Sequence, residues 1–194
     1  MATSKRQHVL DSAKELFERE GFHATGIERI LEHANVAKMT LYNNFGSKDQ
    51  LIVAVLEQSS RTMIEHLVSI AKQSGSDPYE QILGIFGALG DWYDDPTFCG
   101  CIFQAATAEY PDPDCAIAQA AHAHQTNLTL LFRELSAKAE LRDPDALARR
   151  LALLASGATC LARQTRERSP AEDALRMAEI LLERASTPIE HRTL

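Results

Sequence analysis

The stretch Thr25–Lys48, TGIERILEHANVAKMTLYNNFGSK, decides how this chain is read. Ile27, Ile30, Leu31 and Ala34 recur at helical spacing, so a helix is expected from about Gly26 to Ala34. Thr25 with Glu28 has the form of a capping box at its start. Asn35-Val36-Ala37 interrupts the pattern, and Asn35 suits a sharp turn because asparagine tolerates left-handed backbone better than most residues. A second, short helix is expected over Lys38–Phe45. Leu41 and Phe45, four apart, would anchor it on a core formed by Ile27, Ile30, Leu31, Ala34 and Val36. Lys38, Met39, Thr40, Tyr42, Asn43 and Asn44 are left on other faces, polar apart from Met39. A short helix fastened by an apolar seam, with amide, hydroxyl and amine groups outward, is the design of a helix-turn-helix. The same pattern also suits a solvated helical hairpin inside an ordinary α bundle.

Working outward, further helix starts are marked along the chain. Val9, Leu10, Ala13, Leu16 and Phe17 share one helical face, and Gly21 follows as a stop. Ser47 with Gln50 repeats the capping pattern ahead of a long run from Lys48 to about Gln73. Asp77-Pro78, Asp143-Pro144 and Ser169-Pro170 each place an N-cap before a proline at the first helical position. Tyr110-Pro111-Asp112-Pro113-Asp114 is the clearest loop. Nothing alternates like a strand, so the chain is expected to be all-α. It divides by role into a helix-turn-helix part, residues 1–50, and a larger helical part, residues 51–194.

Composition first argues the other way. The chain has 194 residues, 45% of them hydrophobic, and 20 Lys+Arg against 27 Asp+Glu, for a net charge of −7. A general polyanion binder shows a basic excess instead. The acid is unevenly placed, however. Within residues 1–50 the bases Lys5, Arg6, Lys14, Arg19, Arg29, Lys38 and Lys48 match the acids Asp11, Glu15, Glu18, Glu20, Glu28, Glu32 and Asp49. His33 to Lys48 contains no acid at all, and DNA needs cations only where its phosphates lie. Asp11, Glu15, Glu18 and Glu20 do not fit the apolar core of an export signal, and no uncharged stretch is apolar enough for a membrane span. A cytoplasmic protein with reduced thiols is expected.

Thr25 through Leu51 closely resembles the DNA-binding region of the tetracycline-repressor (TetR) family of bacterial transcription regulators. The resemblance is carried by Thr25, Ile30, Ala34, Val36, Leu41-Tyr42, Phe45, Lys48 and Leu51, and before them by Ala13, Leu16, Phe17, Gly21 and Phe22. The departures are Asn35 for the usual glycine, Ala37 for a capping serine and Met39 for a frequent glycine. Position by position, the resemblance implies Lys38, Met39 and Thr40 at base edges in the major groove, with Asn43 in the same outward set. It implies Tyr42, Asn44 and Lys48 on phosphates, and Thr25 from the start of its helix. Chemistry agrees: Lys38 can donate to guanine O6/N7, Thr40 can reach a base or a thymine methyl, and Lys48 lies at a helix N-terminus. The plainer alternatives are that Tyr42 packs on the core and Lys48 is merely solvated.

Beyond Leu51, the segment from Gly100-Cys101-Ile102-Phe103 to Pro113 looks like one branch of TetR-type regulatory domains. There the resemblance implies a small-molecule pocket, and a homodimer through the last two long helices. Met63, Phe86, Trp92, Tyr93, Phe103 and Phe132 are candidate pocket residues, although such clusters are often plain core. Ala155, Ser156, Gly157 and Ala158, with Ile180, Leu181 and Leu182, are candidates for the dimer face. The expected function is a ligand-responsive regulator, most simply a repressor, that binds a near-palindromic operator and is released by an effector. Cys99, Cys101 and Cys115 with His122 and His124 allow a thiol- or metal-sensing alternative, but their spacing is poor for chelation, and no metal or cofactor is assigned. No motif fixes a catalytic geometry, so no enzyme activity is expected.

Overall fold

The computed structural model describes residues 5–186, and among them every regular element is a helix. In order these are α1 (Lys5–Glu20), α2 (Ile27–Ala34), α3 (Lys38–Phe45), α4 (Lys48–Gln73), α5 (Pro78–Tyr93), α6 (Ile102–Glu109), α7 (Ala116–Lys138), α8 (Pro144–Thr165) and α9 (Ser169–Ser186). The caps explain several starts. Asp77 accepts a hydrogen bond from the Tyr79 amide (2.9 Å) and Asp143 from that of Ala146 (3.2 Å), each with proline in the first turn. The Ser47 hydroxyl accepts from the Gln50 amide (3.1 Å) and opens α4. Ser169 departs from this pattern, because its hydroxyl donates to the Glu167 carboxylate (3.1 Å).

The chain forms two compact units, and the division falls inside α4. The first takes the chain up to Met63 together with Cys99–Gln125, and the second takes Ile64–Phe98 with the chain from Thr126 onward. The first unit has one continuous core. Leu10, Leu16 and Phe17 of α1, Ile30 of α2, Leu41 and Phe45 of α3 and Leu51, Ile52 and Leu56 of α4 share it with Ile102, Phe103, Ala106, Ile117 and Ala121. Each fully buried side chain of this size stabilises by roughly 1.5–3 kcal/mol, so α6 and the start of α7 contribute substantially to holding the first three helices.

A polar clasp adds to that core. Oε1 of Glu109, the last residue of α6, accepts from the Phe22 amide (2.9 Å), and its Oε2 accepts from the His23 amide (2.6 Å). The His23 ring donates in turn to the Glu109 carbonyl oxygen (2.9 Å) and lies against Tyr110, with ring centroids 4.7 Å apart. The loop between α1 and α2 is thus bound to the end of α6.

In the second unit α5, α8 and α9 pack on one another. Arg168 bonds to both Asp91 and Asp94 at the end of α5. Gly90 permits this approach, since a Cβ there would sit 2.8 Å from the guanidinium carbon. Arg166 closes α8 in the left-handed conformation and donates to the Phe98 carbonyl oxygen (2.7 Å). On α8, Leu151, Ala155, Ala158 and Ala162 are buried, whereas Leu153, Gly157 and Leu161 face outward.

Asn35 takes the left-handed backbone that its sequence context predicts, with φ 50° and ψ 50°. A β-branched residue is strained there. Asn35→Val is expected to lose about 1–2 kcal/mol of stability, while Asn35→Gly stays at or above the parent. Thermal unfolding of the three proteins checks both.

Candidate nucleic-acid interface

Two short helices and a tight turn build the outward surface. The Asn35 amide donates to the Glu32 carbonyl oxygen (3.2 Å) and the Val36 amide to that of Leu31 (3.1 Å), which ends α2 cleanly. His8 of α1 donates to the Ala34 carbonyl oxygen (2.9 Å) and fixes the same end from outside. Ala37 is the N-cap of α3 and supplies no side-chain oxygen, as its methyl side chain dictates. Leu41 and Phe45 seat α3 on the core, while Met39 is 70% exposed and Tyr42 40% exposed. Lys38, Asn43 and Asn44 are exposed, and Thr40 and Lys48 are half-buried. Tyr42 therefore does not pack into the core. Asn44 donates to the Thr40 carbonyl oxygen (2.6 Å), which fixes its side chain along the helix.

Thr25 does not cap α2. Its side chain is fully buried, and its hydroxyl donates to the Gly21 carbonyl oxygen (2.7 Å). The capping box with Glu28 does not form either, because Gly26 is the N-cap of α2 and no side chain caps it. Thr25 instead braces the turn that leaves α1, where Gly21 has φ +88°.

Space also changes the charge map. Lys14 pairs with Glu18, Arg19 with Glu15, Arg29 with Glu20 and Glu32, and Lys38 with Glu28. Lys5, Arg6 and Lys48 form no ion pair among the described residues. The strip His33–Lys48 is acid-free along the sequence but not in space, since Glu28 reaches Lys38 Nζ at 3.1 Å. That carboxylate, with the Tyr42 ring, holds the Lys38 ammonium above its ordinary pKa. The Glu28 carboxyl is held low, first by its own backbone amide in the opening turn of α2 and then by Lys38. Arg6, which the sequence reading passed over, lies with its guanidinium carbon 5.0 Å from the Phe45 ring centroid, beside the C-terminal end of α3.

The candidate effector residues fall into separate groups. Phe86 and Phe132 are fully buried and stacked, with centroids 5.6 Å apart. Trp92 is half-buried and lies edge-on to Phe98 (5.1 Å), and the Tyr93 hydroxyl meets Thr159 Oγ1 (2.9 Å). Met63 and Phe103 belong to the first unit. There Phe103 stacks on His124 with centroids 3.6 Å apart, and His124 Nδ1 meets Ser60 Oγ (3.1 Å). Cys99, Cys101 and Cys115 are half-buried, and Cys115 Sγ accepts from the Ala118 amide (3.3 Å). Among the described residues no three His, Cys, Asp or Glu side chains gather where a metal ion could sit.

A short helix seated on a core behind a left-handed turn, with Lys5, Arg6 and Lys48 outside any ion pair among the described residues, has the form of a helix-turn-helix DNA-binding unit. The family model described as "Bacterial regulatory proteins, tetR family" matches residues 9–55. SCO4454 of Streptomyces coelicolor, a TetR-family transcriptional regulator, is 33% identical, with 94% of this chain and 96% of that one covered and a TM-score of 0.85. The transcriptional regulator YjdC of Escherichia coli is 27% identical over 180 residues, 92% of this chain and 93% of that protein. The Escherichia coli transcriptional repressor NemR is 30% identical over 109 residues, about half of each chain. Its reduced form shares the fold at a TM-score of 0.85. The chain belongs to the TetR family of DNA-binding transcriptional regulators.

Burial alone pushes the His124 imidazole down to a pKa of about 4. The unfolded chain binds that proton near pH 6.5 and the folded one only near pH 4, so stability is present above pH 6.5 and falls as pH drops below it. Urea unfolding of the parent is expected to lose roughly 2 kcal/mol more than His124→Gln between pH 7 and pH 5.

Proposed function

We propose that the protein is a ligand-responsive repressor that binds a near-palindromic operator as a homodimer and lets go when a small-molecule effector binds. The observation that carries this reading is the surface of α3. Leu41 and Phe45 immobilise an eight-residue helix whose Lys38, Met39, Tyr42, Asn43 and Asn44 point outward. Such a helix reaches base edges in the major groove, while cations at its rim engage phosphates. Lys48 opens α4, where its ammonium and the first backbone amides together suit a phosphate. The work is that of a regulator rather than an enzyme, done in the cytoplasm on a double-stranded DNA operator.

One short helix reads few bases, so two copies related by a two-fold axis are needed for a specific site. The outer faces of α8 and α9 support that pairing. Leu153 is 73% exposed, Met177 54% and Ile180 50%, and Gly157 leaves room between them for a close helix approach. Leu182, expected on that face from sequence, is buried within its own unit and anchors α9 instead. Repression follows when a bound dimer occupies promoter DNA, and NemR, a partial relative, is named a repressor. The effector is a small molecule taken up by the larger part of the chain, with Trp92 and Tyr93 as the leading candidates for contact. Its binding would favour an arrangement in which the two reading heads no longer match the groove.

Two measurements test this reading. Lys48→Ala is expected to weaken binding to every duplex alike and to lower the salt slope by about one. A changed base preference at one position with unchanged general affinity would refute the phosphate contact. Leu153→Glu with Ile180→Glu is expected to give a folded monomer by sedimentation that loses tight operator binding. A parent that is monomeric at micromolar concentration and still binds tightly would refute the dimer.

A further inference from the structure

We infer that Glu28 is a specificity-determining residue of the DNA interface, acting with Lys38 as a donor–acceptor dyad that reads a single G·C pair. The inference rests on the DNA-binding reading above. The two groups come from different helices, α2 and α3, joined by the Asn35 turn and fastened through buried Ile30, Leu41 and Phe45. The turn and the shared core hold the two helices side by side, and the exposed side chains meet across them. Lys38 Nζ lies 3.1 Å from Glu28 Oε1, with the face of the Tyr42 ring 6.0 Å away on another side. Both side chains remain largely open to solvent on the reading surface, so the pair can meet a base pair without unfolding anything.

Two consequences follow from this geometry. The first concerns non-operator DNA. A free lysine neutralises one phosphate on any duplex and releases counterions, whereas a lysine already paired with a carboxylate contributes little to that general attraction. Glu28 thus withholds Lys38 from sequence-blind binding, in a chain where Lys5, Arg6 and Lys48 are the cations of the reading head outside any ion pair among the described residues.

The second consequence concerns recognition. A donor and an acceptor about 3 Å apart match the major-groove edge of a G·C pair, where guanine O6 accepts beside the cytosine N4 donor at about one hydrogen-bond length. Lys38 has three protons, so it can serve Glu28 and still donate to guanine O6 and N7. Glu28, with lone pairs to spare, accepts from cytosine N4. Thymine O4 beside adenine N6 offers the same acceptor–donor order. It sets a methyl group where guanine has its second acceptor, so the lysine loses a bond. The dyad therefore selects G·C with guanine on the lysine side, and it does so only while donor and acceptor are both present.

The experiment uses the full chain, a randomised duplex pool, and the duplex that the parent protein selects from it. The selected duplex is expected to carry one G·C pair per half-site whose change to A·T weakens the parent about tenfold. Glu28→Ala is expected to shrink that penalty severalfold, and Glu28→Gln to tighten binding to the random pool and steepen its salt slope by about one as Lys38 is released. In a Lys38→Ala background, adding Glu28→Gln is expected to leave the random-pool slope unchanged. An unaltered base preference in Glu28→Ala would overturn the dyad. So would an equal slope change with and without Lys38, since the acid would then act only as bulk charge. A parent that selects no duplex and binds none refutes DNA binding itself, which is a separate result. Circular dichroism of Glu28→Gln is expected to match the parent, because the carboxylate is exposed.

Discussion

A helix of eight residues does not persist in water by itself, and α3 has only Leu41 and Phe45 to fasten it. Several features of the first unit serve that attachment. Ile30 supplies the floor, Asn35 sets the angle at which α3 leaves α2, and His8 fixes the end of α2. The core behind them runs through α1 and α4 into α6 and the start of α7. The outward residues can then be chosen for chemistry alone, because the helix does not depend on them for its place. Met39 shows this freedom: a large apolar group can stand on the reading face without disturbing the fold.

Charge acts on the same surface in a way that arithmetic along the chain misses. A net of −7 describes the larger part of the molecule and says little about the reading head. Even the local balance misleads, since most of the cations in residues 1–50 are already engaged by carboxylates of α1 and α2. The cations left outside ion pairs among the described residues of this part are few, and one of them, Arg6, lies over the Phe45 ring at the end of α3. With so few cations outside ion pairs among the described residues, bulk attraction has little to work with at this surface.

The readings that rested on periodicity held, because one face of a helix is fixed by spacing alone. The extents of α3 and α4 and the burial of Leu41 and Phe45 were legible in that way, while the left-handed Asn35 and the Ser47 cap were legible from residue chemistry. What failed had its cause in three dimensions. Thr25 has the right spacing for a cap, yet the turn at Gly21 gives its hydroxyl a nearer carbonyl oxygen. Leu182 belongs to an apolar triplet, but only one of its members can face outward fully, and Ile180 does. The pairing of Glu28 with Lys38 spans ten residues and two helices, which no local pattern reports. The sharing of one core by α1, α4 and α6 is likewise a fact of packing, since residues 99–125 carry no mark of it.

The clasp made by Glu109 gives this architecture a particular sensitivity. One carboxylate answers two successive amides, at Phe22 and His23, across a separation of 86 residues from the latter. A two-point bond of this kind fixes rotation as well as distance, so it behaves like a key in a slot and not like a hinge. Sliding or unwinding the last turn of α6 leaves both amides unmatched at once. The loop they belong to leads directly into α2, and α2 carries the turn that aims α3. A short helix far along the chain therefore stands guard over the alignment of the reading surface.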